Sequence, residues 1–107
     1  MANYKVFLTA AFEKKLAKMD GTFKGWFEKM LDQLAENPFT GKPLGVDWFR
    51  EKKHGKHRVY YLVYENVKSM YVVNLSEKKD QEVIINSIKL LFDMYKKELD
   101  ELLGGTN

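Results

Sequence analysis

Hydrophobic positions along this chain switch between a period of about two and a period of about 3.6, and the switches predict its elements in order. From Tyr4 to Leu8 the β-branched and aromatic content predicts a strand, and Thr9 then offers a side-chain oxygen to cap a helix. Phe12, Leu16 and Met19 recur at helical spacing, with Glu13, Lys14, Lys15 and Lys18 on the remaining positions, until Asp20-Gly21 breaks the pattern. A second helix from about Thr22 to Glu36 presents Phe23, Phe27, Met30, Leu31 and Leu34 on one face. It stops at Asn37-Pro38, because the residue before a proline avoids the helical basin. These two helices are expected to pair as a hairpin.

The segment Phe39 to Asp47 holds two glycines and a proline and reads as an irregular connection. Strand patterns follow from Trp48 to His54 and from Lys56 to Glu65 around a tight turn at Gly55, and a third runs from Ser69 to Leu75. Together they predict an antiparallel meander. Ser76 is placed to cap a final helix over 77–103, on which Ile84, Ile88, Leu91, Tyr95, Leu99 and Leu102 form a stripe widened by Ile85 and Phe92. Such a helix would be roughly 40 Å long, against about 23 Å for a seven-residue strand, so it must overhang the sheet or bend. The order β-α-α-β-β-β-α predicts an α+β fold, a two-layer sandwich with the helices on one face of the sheet. Residues 104–107 read as a frayed tail.

Composition narrows the picture without changing it. A chain of 107 residues leaves room for one core, so 1–107 is read as a single domain. With no cysteine and two histidines, neither a disulfide framework nor a thiolate metal site is available, and no metal or cofactor is expected. No apolar segment has the length of a signal peptide core or a membrane span, so a cytoplasmic protein with no membrane partner is expected.

Charge changes the picture more by its position than by its sum. The net charge is only +3, but within Arg50 to Arg58 the residues Arg50, Lys52, Lys53, His54, Lys56, His57 and Arg58 are basic or titratable to cations, and Glu51 alone opposes them. Strand alternation puts Arg50, Lys52 and His54 on one face of their strand, and Arg58, Tyr60, Leu62 and Tyr64 on one face of the next, with Val59, Tyr61 and Val63 turned to the helices. Arg58 is then expected to face away from the core. Should it share a face with the Arg50/Lys52 row, the hairpin becomes a basic platform suited to phosphates and bases. An exposed edge guarded by lysines accounts for the same cluster without any ligand. No glycine-rich phosphate loop, acidic metal spacing or serine nucleophile elbow is present. What remains is a metal-independent site in which cations stabilise charge on phosphorus; were the substrate RNA, its own 2′-hydroxyl could be the nucleophile.

Four blocks, YKVFLTAAFEKKLAKM, LAENPFTGKPL, GKHRVYYLVYE and MYVVNLSEKKDQEVI, cover roughly Tyr4 to Ile88 and resemble, in this order, the RelE/ParE superfamily of toxins. Asn37-Pro38 with Gly41 and Leu44, and the Arg58 strand, are its most specific parts. The resemblance implies a toxin neutralised by a cognate antitoxin protein. In the RelE branch such a toxin cleaves mRNA in the ribosomal A site; in the ParE branch it acts on DNA gyrase. Carried over residue by residue, it implies catalytic roles for Arg58, Lys52, Lys53 and Lys78, with Arg50, His54, Lys56 and His57 contacting RNA. Lys78 stands where an arginine is usual, and Ile84 falls near the position of a RelE tyrosine. The final helix is also longer than RelE toxins carry, and its outer turns are open to three uses: covering apolar surface, forming a homodimer or meeting the antitoxin. An mRNA interferase, a non-cleaving gyrase toxin and a non-toxic nucleic-acid-binding relative are the three readings this leaves.

Overall fold

One residue ends the first strand and starts the first helix. In the computed structural model, which describes residues 3–104, β1 (Lys5–Leu8) runs into Thr9, whose hydroxyl accepts from the Phe12 amide at 3.0 Å and caps α1 (Ala10–Ala17). The same hydroxyl donates to the Val73 carbonyl at 2.9 Å, which ties the helix start to the sheet. Next, α2 (Gly21–Glu36) begins with the Asp20 carboxylate accepting from the Phe23 amide at 2.8 Å, so Asp20 and Gly21 serve as cap and first residue as well as break. Asn37 ends it as expected, and its side chain turns the chain into a short 3-10 turn at Pro38–Thr40.

The sheet has five strands in the order β1-β5-β4-β3-β2: β2 (Lys42–Pro43), β3 (Phe49–His54), β4 (His57–Tyr64) and β5 (Ser69–Glu77) pair antiparallel, while β1 lies parallel on β5. The expected meander is present, with an unexpected two-residue strand taken from the supposedly irregular connection. Pro43 is tolerated there because β2 is an edge. Gly55, at φ +59, takes the left-handed backbone of a two-residue hairpin loop with Lys56. That loop fixes the register: His54 lies opposite His57, Lys53 opposite Arg58, and Glu51 opposite Tyr60.

The α+β class and the order of elements are as predicted, but helices cover both faces of the sheet. Val59, Tyr61 and Val63 of β4 pack with Phe12, Phe23, Phe27 and Leu34 beneath the α1/α2 hairpin. Tyr60 and Leu62, expected to face away from the helices, are fully buried on the opposite side with Phe49, Ile88, Tyr95 and Leu99. A strand apolar on both faces is one covered on both. The reading of Arg58 as outward-facing is corrected with them, for Arg58 is only 7% exposed.

The single helix expected over 77–103 is replaced by a later start and a break. Ser76 stays in β5, sharing a 2.8 Å hydrogen bond with the Tyr60 hydroxyl, and caps nothing. A 3-10 turn at Lys78–Asp80 leads into α3 (Gln81–Leu90), and Leu91, with ψ near 11°, separates it from α4 (Phe92–Leu102). The bend answers the length mismatch: it lets Ile88 before it and Tyr95 and Leu99 after it enter the same cluster. Gly104, at φ +73, follows α4, and the rest of the predicted tail, 105–107, lies outside the described residues.

Six tyrosines pack into these layers, and for five of them the pH dependence of stability should show it. Burial pushes the Tyr61 phenol up to about 12 and raises those of Tyr60, Tyr64, Tyr71 and Tyr95. The folded state therefore holds these protons more tightly than the unfolded chain, whose tyrosines titrate near ~10. Their contribution is complete below about pH 10 and is lost as pH rises through about 12. Guanidinium chloride midpoints should hold nearly level up to about pH 9.5 and drop steeply above ~10, and less steeply in Tyr61→Phe; an equally steep drop in that variant would remove Tyr61 from the account.

Candidate active site

The site grows out of the β3–β4 register. Arg58 stands near the start of β4 with Lys53 directly across from it, and Glu51 lies two residues before Lys53 on the same side, opposite Tyr60. Past the end of β5, the Lys78 amide donates to the Lys56 carbonyl at 2.7 Å, which holds the 3-10 turn against the hairpin and sets Gln81 at the start of α3. On the far side the loop before β3 brings in Thr40, Gly41 and Lys42. These elements enclose a groove of about 400 Å³ lined by Lys42, Lys52, Lys53, Arg58 and Lys78 together with Glu51 and Gln81.

Its hydrogen bonding is incomplete on the cationic side. Arg58 donates from Nη1 to the Gly55 and His57 carbonyls, both at 3.0 Å, which anchors the guanidinium and leaves Nε and Nη2 without acceptors among the described residues. Among the described residues Lys52, Lys53, Lys78 and Arg58 form no ion pair. Glu51 is 5% exposed, and its Oε1 accepts from Gln81 Nε2 at 2.7 Å. Several unpaired cations facing one largely buried carboxylate leave excess positive charge in a recess, an arrangement that favours an anion such as a phosphodiester.

The groove is lined by Lys52, Lys53, Arg58 and Lys78, all four residues to which the family resemblance gave catalytic roles, although Lys52, paired with Val59, leaves β3 on the opposite side from Lys53 and Arg58. It does not bring in the four expected to contact RNA. The supposed platform of Arg58 with Arg50 and Lys52 side by side does not form, because the two-residue loop sets Lys53, not Lys52, opposite Arg58. Arg50 is buried on the other face, where Nε and Nη2 donate to the Asp47 carbonyl and carboxylate at 2.7 and 2.6 Å, and Nη1 donates to the Phe39 and Gly41 carbonyls at 2.9 and 2.6 Å. It fastens a loop and is not free to meet RNA. His54 stacks on Trp26 at 4.5 Å and His57 meets Phe23 edge-on at 5.3 Å, both on the α2 side and away from Arg58. Lys56 sits at the exposed turn, 3.9 Å from Glu77. Ile84 packs into the cluster around Phe49, and the residue of α3 that reaches the groove is Gln81.

Lys42, Glu51 and Gln81 escaped the sequence reading. A signal for Glu51 was present: counted across a Gly55-Lys56 loop, alternation puts Glu51, Lys53 and Arg58 on one side. Gln81 carries no such signal, since only the 3-10 turn before α3 decides where it points.

Solved structures place the fold among the RelE toxins. A variant of the Escherichia coli RelE toxin in the free state, with two arginines replaced by alanine, superposes with a TM-score of 0.71 at 21% identity, covering 85% of this chain and 99% of that one. The toxin chain of the archaeal RelE–RelB complex from Pyrococcus horikoshii gives 0.62 at 20% identity over 70% of this chain and 94% of that one. The Mycobacterium tuberculosis RelBE2 toxin–antitoxin complex gives 0.62 at 18%, over 72% and 93%. No curated protein matches the sequence. The chain belongs to the ParE toxin family of type II toxin–antitoxin systems, described as the toxin of parDE, whose model matches residues 6–85.

One wall of the groove depends on a glycine. The Tyr61 hydroxyl donates to the Pro38 carbonyl at 2.6 Å and accepts from the Gly41 amide at 3.1 Å, so the loop backbone lies directly on the phenol. A Cβ at Gly41 would collide with that hydroxyl and stand 2.7 Å from the Glu51 carbonyl oxygen. Gly41→Ala should therefore cost about 3 kcal/mol in denaturant unfolding. Arg50→Lys should cost a similar ~2–4 kcal/mol, because an ammonium cannot satisfy acceptors arranged around a planar fork. A change below about 0.5 kcal/mol in either variant would show that the loop is held by other means.

Proposed function

We propose that the protein is a ribosome-dependent mRNA endonuclease, a toxin that inhibits translation by cutting message in the A site. The observation that carries this reading is the Arg58 guanidinium, anchored through one nitrogen with two nitrogens open, in a groove with unpaired Lys52, Lys53 and Lys78. In this reading Arg58 clamps the scissile phosphate with its open edge, and Lys53 and Lys78 stabilise the charge that builds on the phosphoryl oxygens as the 2′-hydroxyl attacks. Lysine at position 78 serves as a point charge where a forked donor is not required. The cognate antitoxin is the expected partner, as several structural neighbours are themselves toxin–antitoxin complexes. An acidic antitoxin segment would complement the groove.

A second reading, a non-cleaving toxin of DNA gyrase, is favoured by one specific observation: the family model that matches is that of the parDE toxin. The groove would then bind an anionic surface without cutting it.

Toeprinting of a translated mRNA on ribosomes with purified protein separates the two. Cuts within the A-site codon are expected with wild type, and Arg58→Ala should reduce them by about a hundredfold or more while its thermal melt stays cooperative. If folded wild-type protein cuts nothing on the ribosome and inhibits supercoiling by purified gyrase, the second reading replaces the first.

A further inference from the structure

The groove of unpaired cations holds one acid, and its setting is not that of a counter-ion. Glu51 is 5% exposed yet forms no ion pair with Lys42, Lys52, Lys53, Arg58 or Lys78. Its single hydrogen bond is from a neutral donor, Gln81 Nε2, at 2.7 Å to Oε1. Among the described residues Oε2 has no protein donor, and no fully buried side-chain oxygen lacks a partner, so Oε2 keeps access to solvent on a residue that lines the groove. A carboxylate oriented through one oxygen and open through the other, on the same side of the sheet as the arginine that can hold a phosphate, has the geometry of a base.

The geometry points to Glu51 as the general base that takes the proton from the attacking 2′-hydroxyl, with Gln81 as the residue that positions it. The inference rests on the endonuclease reading and supplies what that reading lacks, a group able to accept a proton beside Arg58. His54 and His57 stack against α2 on the other face, and the Tyr60 hydroxyl is taken up by Ser76. Glu51 Oε2 gains the hydroxyl proton as the 2′-oxygen bonds to phosphorus. The bond from phosphorus to the 5′-oxygen then breaks, and the leaving oxygen takes a proton from one of the groove's ammonium groups. The products are a 2′,3′-cyclic phosphate and a free 5′-hydroxyl. Solvent returns one proton to the lysine and removes one from Glu51, so no metal, oxidant or further reactant enters the balance. Gln81 is neutral, and so it can hold Oε1 without competing for the proton, as a lysine at that place would.

The test is single-turnover cleavage of ribosome-bound mRNA by wild type, Glu51→Gln, Glu51→Asp and Gln81→Leu, with pH profiles and with binding to the programmed ribosome measured separately. Glu51→Gln keeps the size and the hydrogen-bonding capacity of the side chain, so it should bind as tightly as wild type or more tightly while cutting about a thousandfold more slowly. Its residual rate should climb in proportion to hydroxide, without the acid limb of the wild-type profile. Glu51→Asp should recover part of the rate, and Gln81→Leu should shift the acid limb while leaving binding unchanged. Wild-type cuts should end in 2′,3′-cyclic phosphate. If wild type cuts and Glu51→Gln cuts within threefold of it on the same pH profile, Glu51 is not the base and the endonuclease reading survives. If Glu51→Gln loses binding and cleavage in equal measure, Glu51 is structural and the inference fails in that way instead. Folded wild type that cuts nothing overturns the endonuclease reading, and the role of Glu51 with it.

Discussion

The pairing of β3 with β4 across the Gly55-Lys56 loop is the constraint on which the rest of the structure depends. Side chains alternate along a strand with a period of two, so moving the loop by one residue would exchange every face assignment on the hairpin. In the observed register Val59, Tyr61 and Val63 meet the α1/α2 pair, and Tyr60, Leu62 and Phe49 meet α3 and α4. The same count puts Lys53 opposite Arg58 and Glu51 on that same side, opposite Tyr60, and His54 and His57 on the far side. Core and site are thus two readings of one register. A slip would take the apolar residues out of both cores and take the carboxylate out of the groove.

Much of the fold was legible because local chemistry decided it. Thr9 caps α1, Asn37-Pro38 ends α2, and Gly55 turns the hairpin, each through bonds or backbone angles set within a few residues. The layering was harder to read. Alternation says which residues of a strand share a face, but it does not say whether that face is covered. Along Val59 to Val63 no polar position marks an outer side, and this pattern belongs to a strand enclosed on both faces. The break at Leu91 was hidden for a related reason: the apolar stripe runs through it without a glycine or proline, and the bend follows from where the sheet ends.

The site was half legible, and the dividing line is tertiary. Cationic residue types announced themselves in the run from Arg50 to Arg58, but their roles depended on partners far along the chain. Arg50 has the sequence context of a ligand-binding residue and the structural context of a clasp, because the loop after α2 returns its Phe39 and Gly41 carbonyls to the guanidinium. Glu51 read as a minor discount on a positive run, since the residue that gives it meaning, Gln81, is thirty positions away. What identifies a charged side chain as free or committed is the count of its satisfied hydrogen bonds, and that count exists only in the folded chain.

Charge left unpaired in a recess carries a cost to the fold, and here the cost and the use have one origin. Like charges on Lys42, Lys52, Lys53, Lys78 and Arg58 repel one another around the groove, and among the described residues none is relieved by an ion pair. The fold tolerates this because it fixes the groove from outside the cationic cluster. Tyr61 and Arg50 clamp one wall from the opposite face, the Lys78 amide pins the other to the hairpin, and the carbonyls at Gly55 and His57 hold the guanidinium. None of these anchors uses Arg58 Nε or Nη2, the Glu51 Oε2 atom or a lysine ammonium of the groove. The groups that set the geometry are therefore different from those left to meet a ligand, so an anion entering the groove finds its donors already in place and relieves their repulsion rather than rearranging the fold.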